Sequence, residues 1–136
     1  MVPLDTLWDG GFLTKDNVKQ IADASQYPWC NMASKIFQRT ITLVEELNRN
    51  PINGIGTVSP PDLLAAAVAI DPEIAVIQEN YVSLETRGEY TRGMTVLDQR
   101  VYYRIEDQPN RRKVKIALST HQKKYANLVL NTWLKI

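Results

Sequence analysis

The chain has 136 residues, with 16 lysines and arginines against 15 aspartates and glutamates, a net charge of +1. That length suits one domain, and the near-neutral balance argues against a protein built chiefly to grip a phosphate backbone. Hydrophobic residues at 44% and charged residues at 23% exclude a disordered chain, and the single cysteine, Cys30, excludes an internal disulfide or a multi-cysteine zinc site.

The start, Met1-Val2-Pro3-Leu4-Asp5, has neither the basic nor the apolar region of a secretory signal. The longest apolar run, Leu63 to Ile70, is far short of the ~20 residues that span a bilayer. The expectation is a soluble, cytoplasmic, single or partial domain over 1–136 with no membrane partner.

In chain order, Gly10-Gly11 reads as a turn, and 14–24 reads as a helix. Thr14 can cap it, Asp16 suits its first turn, and Val18, Ile21 and Ala22 fall three and four apart. A longer helix is predicted over 28–48, with Pro28 at its first position. Trp29, Met32, Ala33, Ile36, Phe37, Ile41, Val44 and Leu47 form one broad apolar stripe that predicts a core-facing helix. Lys35, Arg39, Glu45, Glu46 and Arg49 lie largely off it.

Asn50 to Gly56 then breaks the pattern with turn residues. Ser59-Pro60-Pro61-Asp62 introduces a third helix over 63–70, with Ser59 as N-cap, Pro60 at N1 and Asp62 near N3. A helix apolar on every side belongs in the middle of a larger structure. Asp71-Pro72 ends it.

From Tyr81 the period becomes two. Tyr81–Thr86, Met94–Asp98 and Lys113–Leu118 alternate, with Gly88 and Gly93 in the first gap and Gln108-Pro109-Asn110 in the second. Three strands in a meander follow. A last helix is predicted over 121–135, with Tyr125, Leu128, Val129 and Trp133 on one face. The long apolar helices call for more partners than the chain supplies, which predicts self-association or a covering partner.

The chemical signals are sparse. His121, the lone histidine, has no G-x-S-x-G elbow to serve and reads as a cap or a solvated side chain. Cys30 beside Trp29 reads as a buried structural thiol. Gly54-Ile55-Gly56-Thr57-Val58-Ser59 resembles the start of a dinucleotide fingerprint, but a helix precedes it and the last glycine is absent, so it reads as a loop. Arg111, Arg112, Lys113 and Lys115, with Lys123 and Lys124, form one basic cluster. Tyr102 and Tyr103 near it make no stacking motif, so a solvated face is expected and a nucleic-acid partner is not. Asp62 at a helix start is a dipole partner by spacing alone, since calcium needs several oxygens from separate parts of a chain.

Three stretches together resemble the C-terminal part of the inosine-uridine nucleoside hydrolase family. Met1–Asp5 with Phe12–Asp16 is similar to a post-strand loop and helix start. Pro61–Pro72 is similar to the helix that carries His-Asp-Pro-Leu-Ala. Leu84–Arg100 is close to the family's strand, Leu-Thr-Arg-Gly-Met-Thr turn and following strand, and Val114–Leu118 with the last helix also fits. The resemblance implies an α/β fold, of which this chain would be the C-terminal portion: helices plus a small three-stranded meander.

It also implies chemistry. In the family, calcium binds the ribose diol and a water, a carboxylate takes the water's proton, and hydroxide attacks the anomeric carbon. Asp62 is the one metal ligand the resemblance carries over, and no catalytic residue is carried over. Pro61 stands where many members have a histidine that protonates the leaving base. The acidic Asp-Thr-Asp-Pro-Gly-x-Asp-Asp motif and the Asn-containing ribose segment have no counterpart here. Two expectations stay open. One is part of a calcium-dependent enzyme cleaving the N-glycosidic bond of ribonucleosides, inactive without an N-terminal-half partner chain. The other is a non-catalytic, oligomerising or binding domain derived from that fold, a homo-oligomer without cofactor.

Overall fold

A computed structural model describes residues 1–24, 26–47, 56–98 and 112–134. In chain order it places helix α1 (Asp5–Trp8), strand β1 (Leu13–Thr14), helices α2 (Lys15–Asp23) and α3 (Pro28–Glu46), strand β2 (Thr57–Val58) and helix α4 (Pro61–Ile70). A 3-10 turn (Pro72–Ile74) leads to strands β3 (Ala75–Leu84), β4 (Thr95–Asp98) and β5 (Lys113–Thr120), and helix α5 (Gln122–Trp133) follows. The turn expected over 50–55, the second strand gap at 108–110 and the ends of two predicted helices (48, 135) lie outside the described residues.

Two helices begin as their sequences require. Thr14 caps α2 through a capping box: its hydroxyl accepts from the Asn17 N–H at 3.3 Å, and the Asn17 side chain accepts from the Thr14 N–H at 3.0 Å. Pro28 opens α3, where its absent N–H costs nothing. The α3 stripe is only partly core-facing, however. Of the stripe, Ile41 is buried, Ala33, Phe37 and Val44 are half-buried, and Trp29, Met32, Ile36 and Leu47 are exposed, while Cys30 and Ser34, off the stripe, are buried. Apolar residues wrap much of the helix, and α2 and α5 can cover only one side of it.

The start of α4 shifts by one residue from expectation. Pro60, not Ser59, is the N-cap, and Pro61 occupies N1. The residue before a proline is driven out of the helical region, so Pro61 holds Pro60 extended (φ −78°, ψ 112°) and the helix can begin only after it. Helix α4 is also not buried all round. Leu64 and Ala67 face the core, while Ile70 is 70% exposed.

The three expected antiparallel strands are present, but their order is β4-β3-β5 rather than a meander with β4 in the middle. The cause is the length of β3, which begins at Ala75 instead of Tyr81. Its first half pairs with β5 from Ala75↔Thr120 to Tyr81↔Lys113, and its second half pairs with β4 from Tyr81↔Asp98 to Leu84↔Thr95. Beyond β5, the Met1 ammonium donates to the Lys115 carbonyl at 2.7 Å and the Ala117 N–H donates to the Met1 carbonyl at 3.0 Å. That is the slanted pattern of a parallel neighbour. Strands β1 and β2 form a separate antiparallel pair.

The core joins Leu13, Val18 and Ile21 to Leu64, Ile74, Tyr125, Val129 and Leu130. Tyr125 is fully buried, and its hydroxyl has no hydrogen-bond partner among the described residues. Burial raises its pKa above the ordinary phenol value, because the phenolate would lose its hydration. An unpaired buried hydroxyl costs about 1–3 kcal/mol, so Tyr125→Phe is expected to stabilise the protein by about 1 kcal/mol in urea unfolding. A variant less stable than the parent would show that the hydroxyl is satisfied. Among the described residues, no helix is long and apolar enough to cross a membrane.

Candidate functional site

Asp62 occupies the second position of α4, directly after the Pro60-Pro61 pair. Three contacts fix that place. The β1–β2 pairing ties Thr57 and Val58 to Thr14 and Leu13, so the strand feeding α4 lies against the start of α2. The Lys15 N–H donates to the Gly56 carbonyl at 2.9 Å and closes the same junction. Leu64, one turn from the helix start, packs so closely on Gly11 that a Cβ there would lie 2.7 Å from its Cδ2.

The Asp62 side chain is exposed, and its carboxylate makes no hydrogen bond or ion pair to the described residues. It sits over the free N–H groups of a ten-residue helix, where the backbone dipole favours negative charge. Pro60 and Pro61 bring no N–H of their own. No group of three or more histidine, cysteine or acidic side chains among the described residues could hold a metal ion. The described residues therefore do not make a calcium site, which needs six to eight oxygens.

The other candidates stay apart from it. His121 is exposed at the β5–α5 junction, its N–H donating to the Ile74 carbonyl at 2.7 Å and its carbonyl accepting from the Tyr125 N–H. It is a backbone cap without side-chain capping, as its position suggested. Cys30 is buried, with its thiol 3.7 Å from the Trp133 carbonyl. Gly56, at φ +80°, makes the turn into β2, so a strand follows it directly, where a dinucleotide site would open a helix. Gly54 and Ile55 lie outside the described residues.

The described residues of the basic cluster are exposed. Lys113 and Lys115 are exposed on β5, and the Lys113 ammonium lies 5.6 Å from the centre of the Tyr81 ring. Lys123 and Lys124 are exposed on α5. Arg111, Tyr102 and Tyr103 lie outside the described residues.

The sequence marks the connection between β3 and β4 as a turn but gives Glu85 no part in it. One Glu85 oxygen accepts from the Arg87 N–H at 2.7 Å and the Gly88 N–H at 3.0 Å. Backbone bonds from Gly93 to Glu85 and from Glu85 to Met94 close the base of the loop. The donated N–H groups stabilise the charged carboxylate and lower its pKa below the usual 4.5. A lowered pKa makes the loop's order complete above that ordinary value and progressively lost as pH falls through the folded one. The Arg87 and Gly88 amide resonances are expected to titrate together in this acidic window, and Glu85→Gln to abolish the shared titration. Amides that titrate independently would contradict the contact.

Comparison with known proteins places this arrangement. Residues 1–127 match the model of the family described as inosine-uridine preferring nucleoside hydrolase. A pyrimidine-specific ribonucleoside hydrolase, RihA, of Shigella boydii serotype 4 (strain Sb227) is 40% identical over 57 residues, which are 40% of this chain and 18% of that protein. A purine-preferring ribonucleoside hydrolase from Gardnerella vaginalis superposes with a TM-score of 0.74 at 22% identity, over 99% of this chain and 39% of its own. An inosine-guanosine nucleoside hydrolase superposes with a TM-score of 0.67 at 24% identity, over 92% of this chain and 35% of its own. The two structures establish the fold. The chain thus spans little more than a third of their length, and less than a fifth of the curated relative's length is matched.

Proposed function

The chain belongs to the family of inosine-uridine preferring nucleoside hydrolases, and from that premise we propose that it forms one part of an enzyme cleaving the N-glycosidic bond of ribonucleosides. Its contribution is Asp62. The observation that carries this reading is an exposed, unpaired carboxylate in the first turn of α4, on a scaffold that follows a purine-preferring ribonucleoside hydrolase over nearly all of this chain. In the reading, Asp62 supplies one oxygen to a calcium ion whose other ligands come from further polypeptide, an N-terminal-half partner chain. Calcium supplies positive charge beside the ribose when bound.

This chain's own residues then do limited things. Pro60 and Pro61 fix where α4 begins, and so hold Asp62 at the mouth of the helix. Pro61 has no proton to give, so protonation of the departing base falls to another group or to water. Among the described residues no group of three or more histidine, cysteine or acidic side chains gathers at Asp62. These features favour dependence on the partner for all proton transfers.

The test is reconstitution. This chain is mixed with an N-terminal hydrolase segment carrying the acidic motif, and base release from inosine and uridine is followed with and without calcium. Hydrolysis that needs both chains and calcium is expected. A stable complex without hydrolysis would overturn the reading. Pro61 also favours a second reading, a scaffold retained for assembly with its chemistry lost, and that same inactive complex is what it expects.

A further inference from the structure

Two charged side chains stand at the wrong ends of their helices. Lys15 is the first residue of α2, and Glu45 lies in the last turn of α3. A helix dipole disfavours a cation at its N-terminus and an anion at its C-terminus, so neither helix accounts for its own charge. Each accounts for the other, because the Lys15 Nζ lies 2.7 Å from a Glu45 carboxylate oxygen. The contact is closer than the Arg39–Glu46 pair beside it, at 3.4 Å, and its carboxylate is better covered, at 31% exposed against 57%.

Lys15 also holds a third element. Its N–H donates to the Gly56 carbonyl at 2.9 Å. Its stem crosses Gly56 so closely that a Cβ there would lie 3.1 to 3.3 Å from Cγ, Cδ and Cε. The chain from Gly56 to Asp62 has little slack. Thr57 and Val58 are paired with β1, and the rings of Pro60 and Pro61 fix their own φ angles. A displacement of Gly56 is therefore passed on to the start of α4.

We propose that Lys15 and Glu45 are positioning residues, an electrostatic clasp between α2 and α3 that sets the place of Gly56 and, through it, of Asp62. The inference rests on the role proposed above for Asp62, and it gives the pair no contact with substrate or metal. A half-exposed ion pair adds little to global stability. Its effect is local, on the junction where its three elements meet.

Charge exchange tests the clasp. Glu45→Lys sets two cations against each other, and the double variant Lys15→Glu, Glu45→Lys restores the attraction with its sign reversed. In this chain alone, hydrogen exchange of the residue-15 amide, corrected for its neighbours, is expected to rise roughly three- to fivefold in Glu45→Lys and to recover in the double variant. The Asp62 amide resonance is expected to move and return with it, at an unchanged urea midpoint. In the reconstituted hydrolase, kcat is expected to fall roughly tenfold in Glu45→Lys with KM unchanged, and the double variant to regain it.

A double variant no better than Glu45→Lys overturns the proposal. So does an Asp62 resonance that stays in place while the residue-15 amide opens, since the pair would then hold Gly56 alone. A reconstituted parent without hydrolysis would remove the hydrolase reading, and the Asp62 resonance would still decide whether the clasp governs the start of α4.

Discussion

Gly10→Ala is expected to cost about 3–5 kcal/mol, enough to consume much of the stability of a domain this size. Gly10 has φ +94°, and a Cβ there would lie 2.0 Å from the Thr120 carbonyl oxygen and 2.9 Å from its carbon. Both are backbone atoms, so no side-chain rotation relieves the clash. The neighbouring Asp9 carbonyl accepts from the Thr120 N–H at 2.7 Å, and the Thr6 hydroxyl donates to the Ala117 carbonyl at 2.7 Å. These bonds press α1 onto β5, and the added methyl would have to part them. Gly93→Ala is the control. Its φ is +91°, but nothing lies within 4 Å of the added carbon, so only the backbone penalty of about 1–2 kcal/mol applies. Urea unfolding of the two variants separates the terms. Equal losses would show that backbone conformation alone, not the α1–β5 contact, governs Gly10.

Asp62→Ala is expected to act in the opposite manner, large on activity and small on stability. The side chain is exposed, so its loss removes a helix-dipole interaction of about 0.3–1 kcal/mol and leaves the fold intact. In the reconstituted hydrolase, removing one charged metal ligand is expected to lower kcat/KM by roughly 10³-fold, equivalent to about 4 kcal/mol. Asp62→Glu is expected to recover part of that loss, since it restores an oxygen donor at altered reach. Activity within tenfold of the parent after Asp62→Ala would remove Asp62 from the site.

Helices α2, α3 and α5 were legible because each is long enough to show its period and two have clear starts at Thr14 and Pro28. Helix α1 has four residues and β1 and β2 two each, too few to establish any period. The first half of β3 was missed because Val76, Ile77, Gln78 and Glu79 are all exposed and do not alternate. That omission also misplaced the strand order, since a short β3 could not have paired with both neighbours along its length. Periodicity located the α3 stripe but could not say which half of it meets the core.

The site was legible in a different way. Nothing in the spacing around Asp62 distinguishes it from an ordinary first-turn carboxylate, and the structure keeps it exposed at the start of α4. Its significance came from the resemblance of Pro61–Pro72 to one family helix, which the match over residues 1–127 now supports at the level of the family. Pro61 took on chemical meaning only through the same resemblance, which implies a histidine at its position in many members, and a proline there has no proton to donate. Glu85 was not readable, since its role depends on which N–H groups the closed loop turns toward it.

The most direct measurement is native mass spectrometry of the protein purified from its own source, followed by a nucleoside hydrolysis assay on the same complex. The account predicts this chain in association with polypeptide that carries the acidic calcium-binding motif, and base release that is lost in Asp62→Ala. A homo-oligomer of this chain alone, with no bound cation and no hydrolysis, would contradict it.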